Sequence, residues 1–229
     1  MIRVPATRTL ENSLRRVGFV YVAGSDEVGR GCLAGPVVAG AVVLHPDRHI
    51  PGVCDSKTVP VQEREQLYEE ILKHAVSWAV AAAEPEEIDR INIHQASLRA
   101  MQRAILLLAP LPDIVLVDAF RVPDLPMAQR GVLHGDRRCT AIAAASIVAK
   151  VSRDRMMLEL HARDPRYGFD RHKGYATADH LDAVARFGYS GAHRRSFRPP
   201  TLFDGLAGAD AALTSGPQPA EGPHVAAED

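Results

Sequence analysis

The feature that most constrains the fold of this chain is a glycine-rich turn between two strand-like runs. Residues 19–23 and 36–44 are rich in β-branched or aromatic side chains, which is typical of buried strands. Asp26 and Glu27 follow the first run, so we expect both carboxylates where a strand ends. Neighbouring side chains of a strand point to opposite faces, so the two acids converge only if the glycines that follow break the pleat. Because close carboxylates repel each other, a divalent cation between them is the simplest explanation of the pair.

The triplet Gly29-Arg30-Gly31 distinguishes this turn from the plain surface turn that an isolated Asp-Glu pair would indicate. It sets a cation and two bare backbone positions beside the acids, as the binding of a phosphate or a sugar requires. The spacing of Gly29, Gly31 and Ala34 is also similar to a dinucleotide-binding fingerprint. That motif needs a helix after the turn, whereas Pro36 and the valines beyond it predict a strand.

Two more acids follow strand-like runs further along the chain. Residues 113–118 form an apolar run that ends in Asp118, and residues 132–136 predict a short strand that ends in Asp136. A single acid after a strand is more often a helix cap. Together with the first pair, however, these acids make a set of four carboxylates, each expected at a strand end, where open α/β sheets bind their ligands.

The rest of the pattern alternates strands with helices and predicts an α/β domain. Small residues dominate the helix predicted over residues 141–160, which would let that helix lie close against the sheet. The other predicted elements are a short helix or loose arm, a helix, a strand, a helical region and a last helix, over residues 1–17, 60–75, 76–83, 85–108 and 177–187 respectively.

Charge is distributed unevenly, although the net charge of the 229 residues is only -1. Residues 137–198 carry 13 Lys and Arg against 6 Asp and Glu, whereas residues 204–229 carry 5 acids and neither Lys nor Arg. The basic stretch indicates a polyanionic partner, or only the charged outer face of a helix. The acidic tail lacks a core-forming pattern, so we expect it to be disordered.

Hydropathy and cysteine usage indicate a cytoplasmic protein. No apolar run reaches membrane-spanning length, and the first residues lack the apolar centre of a signal peptide. The 3 cysteines are odd in number and never form a Cys-x-x-Cys pair, which favours a reducing compartment. His45, His49 and Cys54 lie close in sequence, but a fourth zinc ligand is missing and the prolines among them predict a plain loop.

These motifs together resemble type 2 ribonuclease H, the bacterial ribonuclease HII family. The likeness spans roughly residues 18–203 and implies an RNase H-like α/β fold, with a mixed five-stranded sheet flanked by helices and a small helical C-terminal region. It rests on Asp26 to Gly31, Asp55-Ser56-Lys57, Val117-Asp118, Gly135-Asp136, the helix from Ile142 through Ser146 to Arg155, His172 to Tyr175, and His193 to Phe197. The implied organisation is an N-terminal arm, a catalytic domain, a helical substrate-contacting region and a disordered acidic tail, over residues 1–17, 18–163, 164–203 and 204–229.

The same likeness implies an activity and its metal. Asp26, Glu27, Asp118 and Asp136 become the catalytic residues and the ligands of Mg²⁺ or Mn²⁺. Members of the family cut the RNA strand of RNA–DNA hybrids and the 5′ side of single ribonucleotides in duplex DNA, leaving a 5′-phosphate and a 3′-hydroxyl. Two cations about 4 Å apart, bridged by Asp26, would activate the attacking water near Asp136 and stabilise the leaving oxygen near Asp118.

The resemblance also implies substrate contacts. Gly29, Arg30 and Gly31 would read the 2′-hydroxyl, which alone distinguishes RNA from DNA at one position, and Tyr175 would pack against the deoxyribose that follows. Ser146 is a further candidate for a substrate contact. The candidates for phosphate contacts are basic side chains, namely Lys57, Lys150, Lys173, Arg194 and Arg195. Members are usually monomers, and the acidic tail is a candidate contact for a replication clamp.

The sequence departs from the family pattern at Ala176, where a glycine usually follows the tyrosine. Alanine would cost about 1 kcal/mol there if the backbone needs a positive φ. The run over residues 188–192 also lacks its usual proline. Two other functions stay open at this point. The basic stretch alone suits a non-catalytic hybrid-binding module, and an RNase H-like nuclease of DNA junctions would not need the turn at residues 29–31.

Overall fold

A five-stranded sheet forms the centre of the fold. The computed structural model describes residues 5–197. The strands are β1 (Val22–Val28), β2 (Val37–Leu44), β3 (Ala75–Ala83), β4 (Ile114–Asp118) and β5 (Ala128–Val132). Their order is β3-β2-β1-β4-β5, with antiparallel pairing from β3 through β2 to β1 and parallel pairing from β1 through β4 to β5. The predicted mixed five-stranded sheet is confirmed.

The central strand β1 extends beyond the run that the sequence indicates and includes both Asp26 and Glu27. Its antiparallel ladder with β2 continues in register through the two acids to the pair Val28↔Val38. The expectation that the glycines break the pleat beside the acids is therefore wrong. Gly29, the first glycine of the turn, follows the strand and has a φ of 90°. Asp26 instead meets Asp118 because β1 and β4 are parallel and in register, with Asp26 level with Asp118, the last residue of β4.

Helices cover both faces of the sheet, as predicted. They are α1 (Thr9–Arg16), α2 (Val61–His74), α3 (Pro85–Ile91), α4 (Ile93–Leu106), α5 (Gly135–Arg138), α6 (Thr140–Arg163), α7 (Phe169–His172) and α8 (Ala178–Phe187). One apolar cluster packs α2 and α6 against alternate residues of β2, and a second packs α3 and α4 against the residues between them. Since side chains alternate across a strand, the two clusters lie on opposite faces of the sheet.

The helix α6 lies directly on β1 and β2, which confirms the prediction from its small residues. A Cβ added to Gly24 of β1 would lie 2.1 Å from the carbonyl carbon of Ala141, and one added to Gly40 of β2 would lie 2.5 Å from the carbonyl oxygen of Ala145. Both contacts are with helix backbone, which cannot swing aside as a side chain can. Glycine on the strands and alanine on the helix therefore set how closely the two layers approach.

Two predicted elements are wrong in extent. The single helical region expected over residues 85–108 is two helices, because Asn92 adopts a φ of 69° and its side chain accepts a hydrogen bond from the N–H of Gln95, which caps α4. The strand expected over residues 132–136 ends at Val132 and begins earlier, as β5. This strand is at the edge of the sheet and most of its side chains are exposed, so it shows no apolar pattern.

The segment after α6 folds back onto the glycine-rich turn. The backbone N–H of Leu33 donates to the carbonyl of Gly174 at 2.8 Å, and Ala34 forms an antiparallel bridge with His193. This places α7, α8 and the residues around His193 beside the turn that follows β1. No helix within residues 5–197 is both long and apolar enough to cross a membrane. The tail predicted over residues 204–229 lies outside the described residues.

Candidate active site

The first two acids lie where the neighbouring strand β4 ends, with Asp26 level with its last residue and Glu27 one position beyond. The parallel ladder between β1 and β4 ends at Ser25↔Val117, one position before Asp26. The Asp26 carboxylate is 7% exposed and accepts hydrogen bonds from the backbone N–H of Glu27 at 2.8 Å and from the hydroxyl of Ser146. Burial raises the pKa of Asp26 well above its usual range, and the charge of Glu27 raises it further, while the Ser146 hydrogen bond lowers it.

Glu27 is held by the arginine of the turn. Nη1 of Arg30 donates to Oε1 of Glu27 at 3.0 Å, and the guanidinium lies 4.9 Å from the centre of the Phe120 ring. Burial raises the pKa of Glu27, and the hydrogen bond and charge of Arg30 partly offset that rise. The side chain of Arg30 is therefore occupied by an acid of the site in this structure.

The other two acids come from β4 and from the helix after β5. Asp118 is the last residue of β4, and its Oδ1 accepts a hydrogen bond from the backbone N–H of Gly135 at 2.8 Å. Asp136 is buried in the first turn of α5. The expectation that Asp136 ends a strand is wrong, because the chain turns at His134, where φ is 53°, and enters the short helix first.

The charges of the four acids act on one another, and Asp118 acts on each of the other three. The charge of Asp118 raises the pKa of Asp26, of Glu27 and of Asp136, in each case after the larger effect of burial. Three separate segments of the chain thus bring four carboxylates into one neighbourhood. Within residues 5–197, no three His, Cys, Asp or Glu side chains already form a group that could hold a metal ion. The acids are close enough for the charge of one to alter the pKa of another, but they do not form a closed ligand shell.

A fifth carboxylate, Asp55, lies beside this group, and the sequence reasoning gave it no role. Asp55 is 4% exposed, caps the short helical turn Ser56–Thr58 and pairs with Nε of Arg137 at 3.2 Å. Its charge raises the pKa of Asp136. The motif around it was part of the family resemblance, but Asp55 follows a loop, so a search for acids at strand ends could not find it.

The turn at residues 29–31 lies beside the acids, directly after β1. A Cβ added to Gly29 would lie 2.2 Å from Nε of Arg153, whereas one added to Gly31 would contact nothing. Gly29 is thus required by packing and by its φ of 90°, and Gly31 leaves open space above the backbone. Tyr175 is 43% exposed and follows Gly174, whose carbonyl is bound to the segment after the turn.

Comparison with known proteins decides the family. The sequence profile of the family described as ribonuclease HII matches residues 23–199, which include all four acids and Tyr175. This chain belongs to the ribonuclease HII family. It is a type 2 ribonuclease H, an endonuclease whose activity is that of the ribonucleases H.

Individual relatives agree with this assignment. Ribonuclease HII of Coxiella burnetii (strain RSA 493 / Nine Mile phase I) is 52% identical over 180 residues, which cover 79% of this chain and 89% of the relative. Among solved structures, the PCNA:RNase HII complex from Archaeoglobus fulgidus matches with a TM-score of 0.66 and 27% identity over 79% of this chain and 96% of that one. Ribonuclease H2 from Pyrococcus horikoshii OT3 matches with a TM-score of 0.66 at 24% identity, over 78% and 94% of the two chains, and supports the fold.

Four of the five predicted basic contacts of this ribonuclease HII fall into two groups. The side chains of Lys57 and Arg195 are exposed. By contrast, Lys150 forms an ion pair with Asp154 at 2.7 Å, and the ammonium of Lys173 donates to the carbonyl of Asp170. Lys150 and Lys173 must each give up an existing partner before they can bind a phosphate.

Two predicted substrate contacts are buried instead. Arg194 is 0% exposed, and its guanidinium donates to backbone carbonyls, so the expectation that it binds a phosphate is wrong for this structure. Ser146 is also buried, and its hydroxyl lies 2.9 Å from that of Ser56. Because Ser146 also donates to Asp26, it supports an acid of the site.

The replacement of glycine by Ala176 carries no backbone penalty here. Ala176 does not have a positive φ, whereas the nearby Lys173 and Gly174 adopt φ values of 50° and 84°. The left-handed conformations of this loop therefore lie before the tyrosine. The cost of about 1 kcal/mol considered for alanine does not arise in this conformation.

Proposed function

We propose that this chain is a metal-dependent endoribonuclease that cuts the RNA strand of RNA–DNA hybrids and the 5′ side of single ribonucleotides in duplex DNA. The products are 5′-phosphate and 3′-hydroxyl ends, and the cellular role is the removal of ribonucleotides from DNA. The observation that carries this proposal is the position of Asp118, whose charge acts on Asp26, Glu27 and Asp136 alike. Four neighbouring acids, of which Asp26 and Asp136 are buried, are costly unless a cation or chemistry requires them.

The donor set fits Mg²⁺ or Mn²⁺. Asp26, Glu27, Asp118 and Asp136 offer only carboxylate oxygens, and both ions prefer oxygen ligands. Burial and mutual repulsion raise the pKa of three of the four, and a divalent cation favours the ionised form of each. Two such ions, when bound, supply the positive charge that activates water and stabilises the leaving oxygen of a phosphodiester.

The protein's own part is to hold the acids in place before substrate arrives. The Ser146 hydroxyl and the Glu27 N–H orient the carboxylate of Asp26, and the Gly135 N–H orients that of Asp118. Arg30 holds Glu27 from the side of the glycine-rich turn. Because most of these donors belong to strands and helices, the backbone that carries these three acids is in place before the scissile phosphate binds.

The turn at residues 29–31 supports the proposed choice of substrate. Gly31 leaves room for a sugar to approach the backbone, and Tyr175 offers an exposed ring on the adjoining loop. The hydrogen bond from Leu33 to Gly174 links the two elements. A 2′-hydroxyl at the turn and the next sugar on the ring would thus be recognised by two surfaces with a fixed separation. Lys57 and Arg195 are the exposed candidates for phosphate contacts.

Further assignments follow from the family and the relatives. The Archaeoglobus fulgidus relative forms a complex with PCNA, and we extend a clamp contact to this chain through its acidic tail at residues 204–229. We also propose that the protein acts as a monomer in the cytoplasm. These assignments are tested by gel filtration, by fractionation, and by clamp binding of a variant that ends at residue 203.

Cleavage of paired substrates tests the main proposal. A DNA duplex with one ribonucleotide, a full RNA–DNA hybrid, an all-DNA duplex and an all-DNA junction are incubated with Mg²⁺ or Mn²⁺. We expect nicks on the 5′ side of the ribonucleotide and in the RNA strand, and none in DNA. Asp118→Asn should lose at least about a thousandfold in kcat, since it removes one acid without a large change in shape. Asp47→Asn is the control, because Asp47 is exposed on the loop after β2.

Each result separates this proposal from its rivals. No nick with either metal would exclude the endoribonuclease, and binding of the hybrid without cleavage would leave a hybrid-binding module. Cleavage of an all-DNA junction would favour a junction nuclease instead. Full activity of Asp118→Asn would show that the four acids are not the catalytic set.

A further inference from the structure

Arg194 is a fully buried arginine that is bound by backbone carbonyls. Its Nε donates to Gly35 at 2.9 Å, its Nη1 to Arg30 at 3.0 Å and its Nη2 to Gly29 at 2.7 Å. The guanidinium also lies 5.1 Å from the centre of the Phe197 ring. Among the described residues no carboxylate forms an ion pair with it. Burial of an arginine without an ion pair is costly, so these contacts indicate a specific structural task.

The three carbonyls bound by Arg194 belong to the turn that follows β1. Two of them, at Gly29 and Arg30, lie within the triplet proposed to read the 2′-hydroxyl. The planar guanidinium fixes the direction of both peptide groups at once, which no other side chain can do with the same geometry. It also joins the two ends of the turn, because the third carbonyl belongs to Gly35.

A second buried arginine, Arg153 of α6, supports the same turn through other carbonyls. Its guanidinium donates to the carbonyls of Ala34, Pro36 and Lys173 at 2.9 to 3.1 Å. It also fills the space that a Cβ on Gly29 would need. Arg153 therefore links the turn to the loop that carries the exposed tyrosine, while Arg194 shapes the turn itself.

We infer that Arg194 is a positioning residue that sets the conformation of the turn at residues 29–31 and thereby the preference for a single ribonucleotide over a long hybrid. This inference rests on the proposed function. A single ribonucleotide offers one 2′-hydroxyl in one register, so a displaced turn loses that contact completely. A long hybrid also offers 2′-hydroxyls on both sides of the cut, so contacts to them outside the turn retain part of the binding.

Arg194→Lys tests this inference, because lysine keeps the charge but cannot span three carbonyls. We expect kcat/KM for the single-ribonucleotide duplex to fall by about a hundredfold, the effect of a displacement near 1 Å. The value of kcat/KM for the long hybrid should fall by no more than about tenfold. The ratio of kcat/KM for the single ribonucleotide to that for the hybrid should therefore fall by about tenfold. Arg8→Lys is the matched control, since Arg8 also donates to two carbonyls, those of His45 and Pro46, on a loop without candidate site residues.

Hydrogen exchange of the peptide over residues 29–35 provides a readout that does not depend on activity. It should accelerate about tenfold or more in Arg194→Lys and stay unchanged in Arg8→Lys. If the unaltered protein does not nick the ribonucleotide duplex, the proposed function fails, and the exchange result alone decides whether Arg194 holds the turn. Unchanged exchange in Arg194→Lys overturns the inference, and so does an equal loss of activity on both substrates.

A milder variant covers the case in which Arg194→Lys does not fold. Phe197→Leu keeps the arginine but removes the ring beside its guanidinium. We expect the preference for the single ribonucleotide to fall by about threefold, since part of the support of the guanidinium is lost. A preference equal to that of the unaltered protein would overturn the inference.

Discussion

Gly24→Ala should disturb both stability and activity, because it separates the sheet from α6. The added Cβ would lie 2.1 Å from the carbonyl carbon of Ala141 and 2.3 Å from the backbone nitrogen of Ile142. Carbon atoms pack at about 3.5 to 4.0 Å, so the helix must move away by about 1 Å or more. Overpacking of this kind costs about 1 to 3 kcal/mol, and the upper end applies since both atoms belong to the backbone of a buried helix.

The same displacement moves Ser146, which lies on α6 and donates to Asp26. We therefore expect kcat/KM to fall by about a hundredfold as well. Denaturant unfolding measures the free energy, and cleavage of the ribonucleotide duplex measures the activity. Gly191→Ala is the control, because a Cβ on Gly191 would contact nothing. A loss of less than about 1 kcal/mol with full activity would refute the view that these backbone contacts set the position of α6.

Three further predictions concern stability, the metal and the thiols. Burial lowers the pKa of His180 and of His193 to about 4, so the unfolded chain binds more protons below pH 6.5; stability should fall by about 5 kcal/mol from pH 7 to pH 4.5, and His180→Gln should remove about half of that slope in denaturant titrations. Asp55→Asn keeps an oxygen for its helical cap but removes a negative charge, so half-maximal activity should need about threefold more Mg²⁺, with Asp47→Asn unchanged. All three cysteines are free and buried, and burial raises the pKa of Cys139, so the folded protein should not react with a thiol reagent until it unfolds.

The four acids could be predicted from the sequence because three of them lie at or near the ends of apolar strands. Asp118 ends β4 as expected, and Asp26 and Glu27 lie close to the end of β1. Asp136 was found for an incorrect reason, since it belongs to a helix. Its proximity to the others depends on the hydrogen bond between Gly135 and Asp118, which joins residues distant in sequence.

The burial of two arginines could not be predicted. Arg153 and Arg194 occur in a basic stretch, and basic residues are usually exposed, so sequence reasoning places them on the surface. Their partners are carbonyls, and every residue has a carbonyl, so no sequence pattern marks the acceptors. The position of the edge strand β5 could not be predicted either, because its exposed side chains do not alternate between apolar and polar.

The length of α6 has a consequence for how the protein could be altered by selection. One continuous helix reaches Asp26 through Ser146 and the glycine-rich turn through Arg153, seven residues further along, or about 10 Å. Because the helix is rigid over this distance, a displacement at Ser146 also displaces Arg153. Variants on this helix should therefore change the rate of cleavage and the choice of substrate at the same time. Libraries that aim to separate these two properties should vary the loops at the ends of the helix.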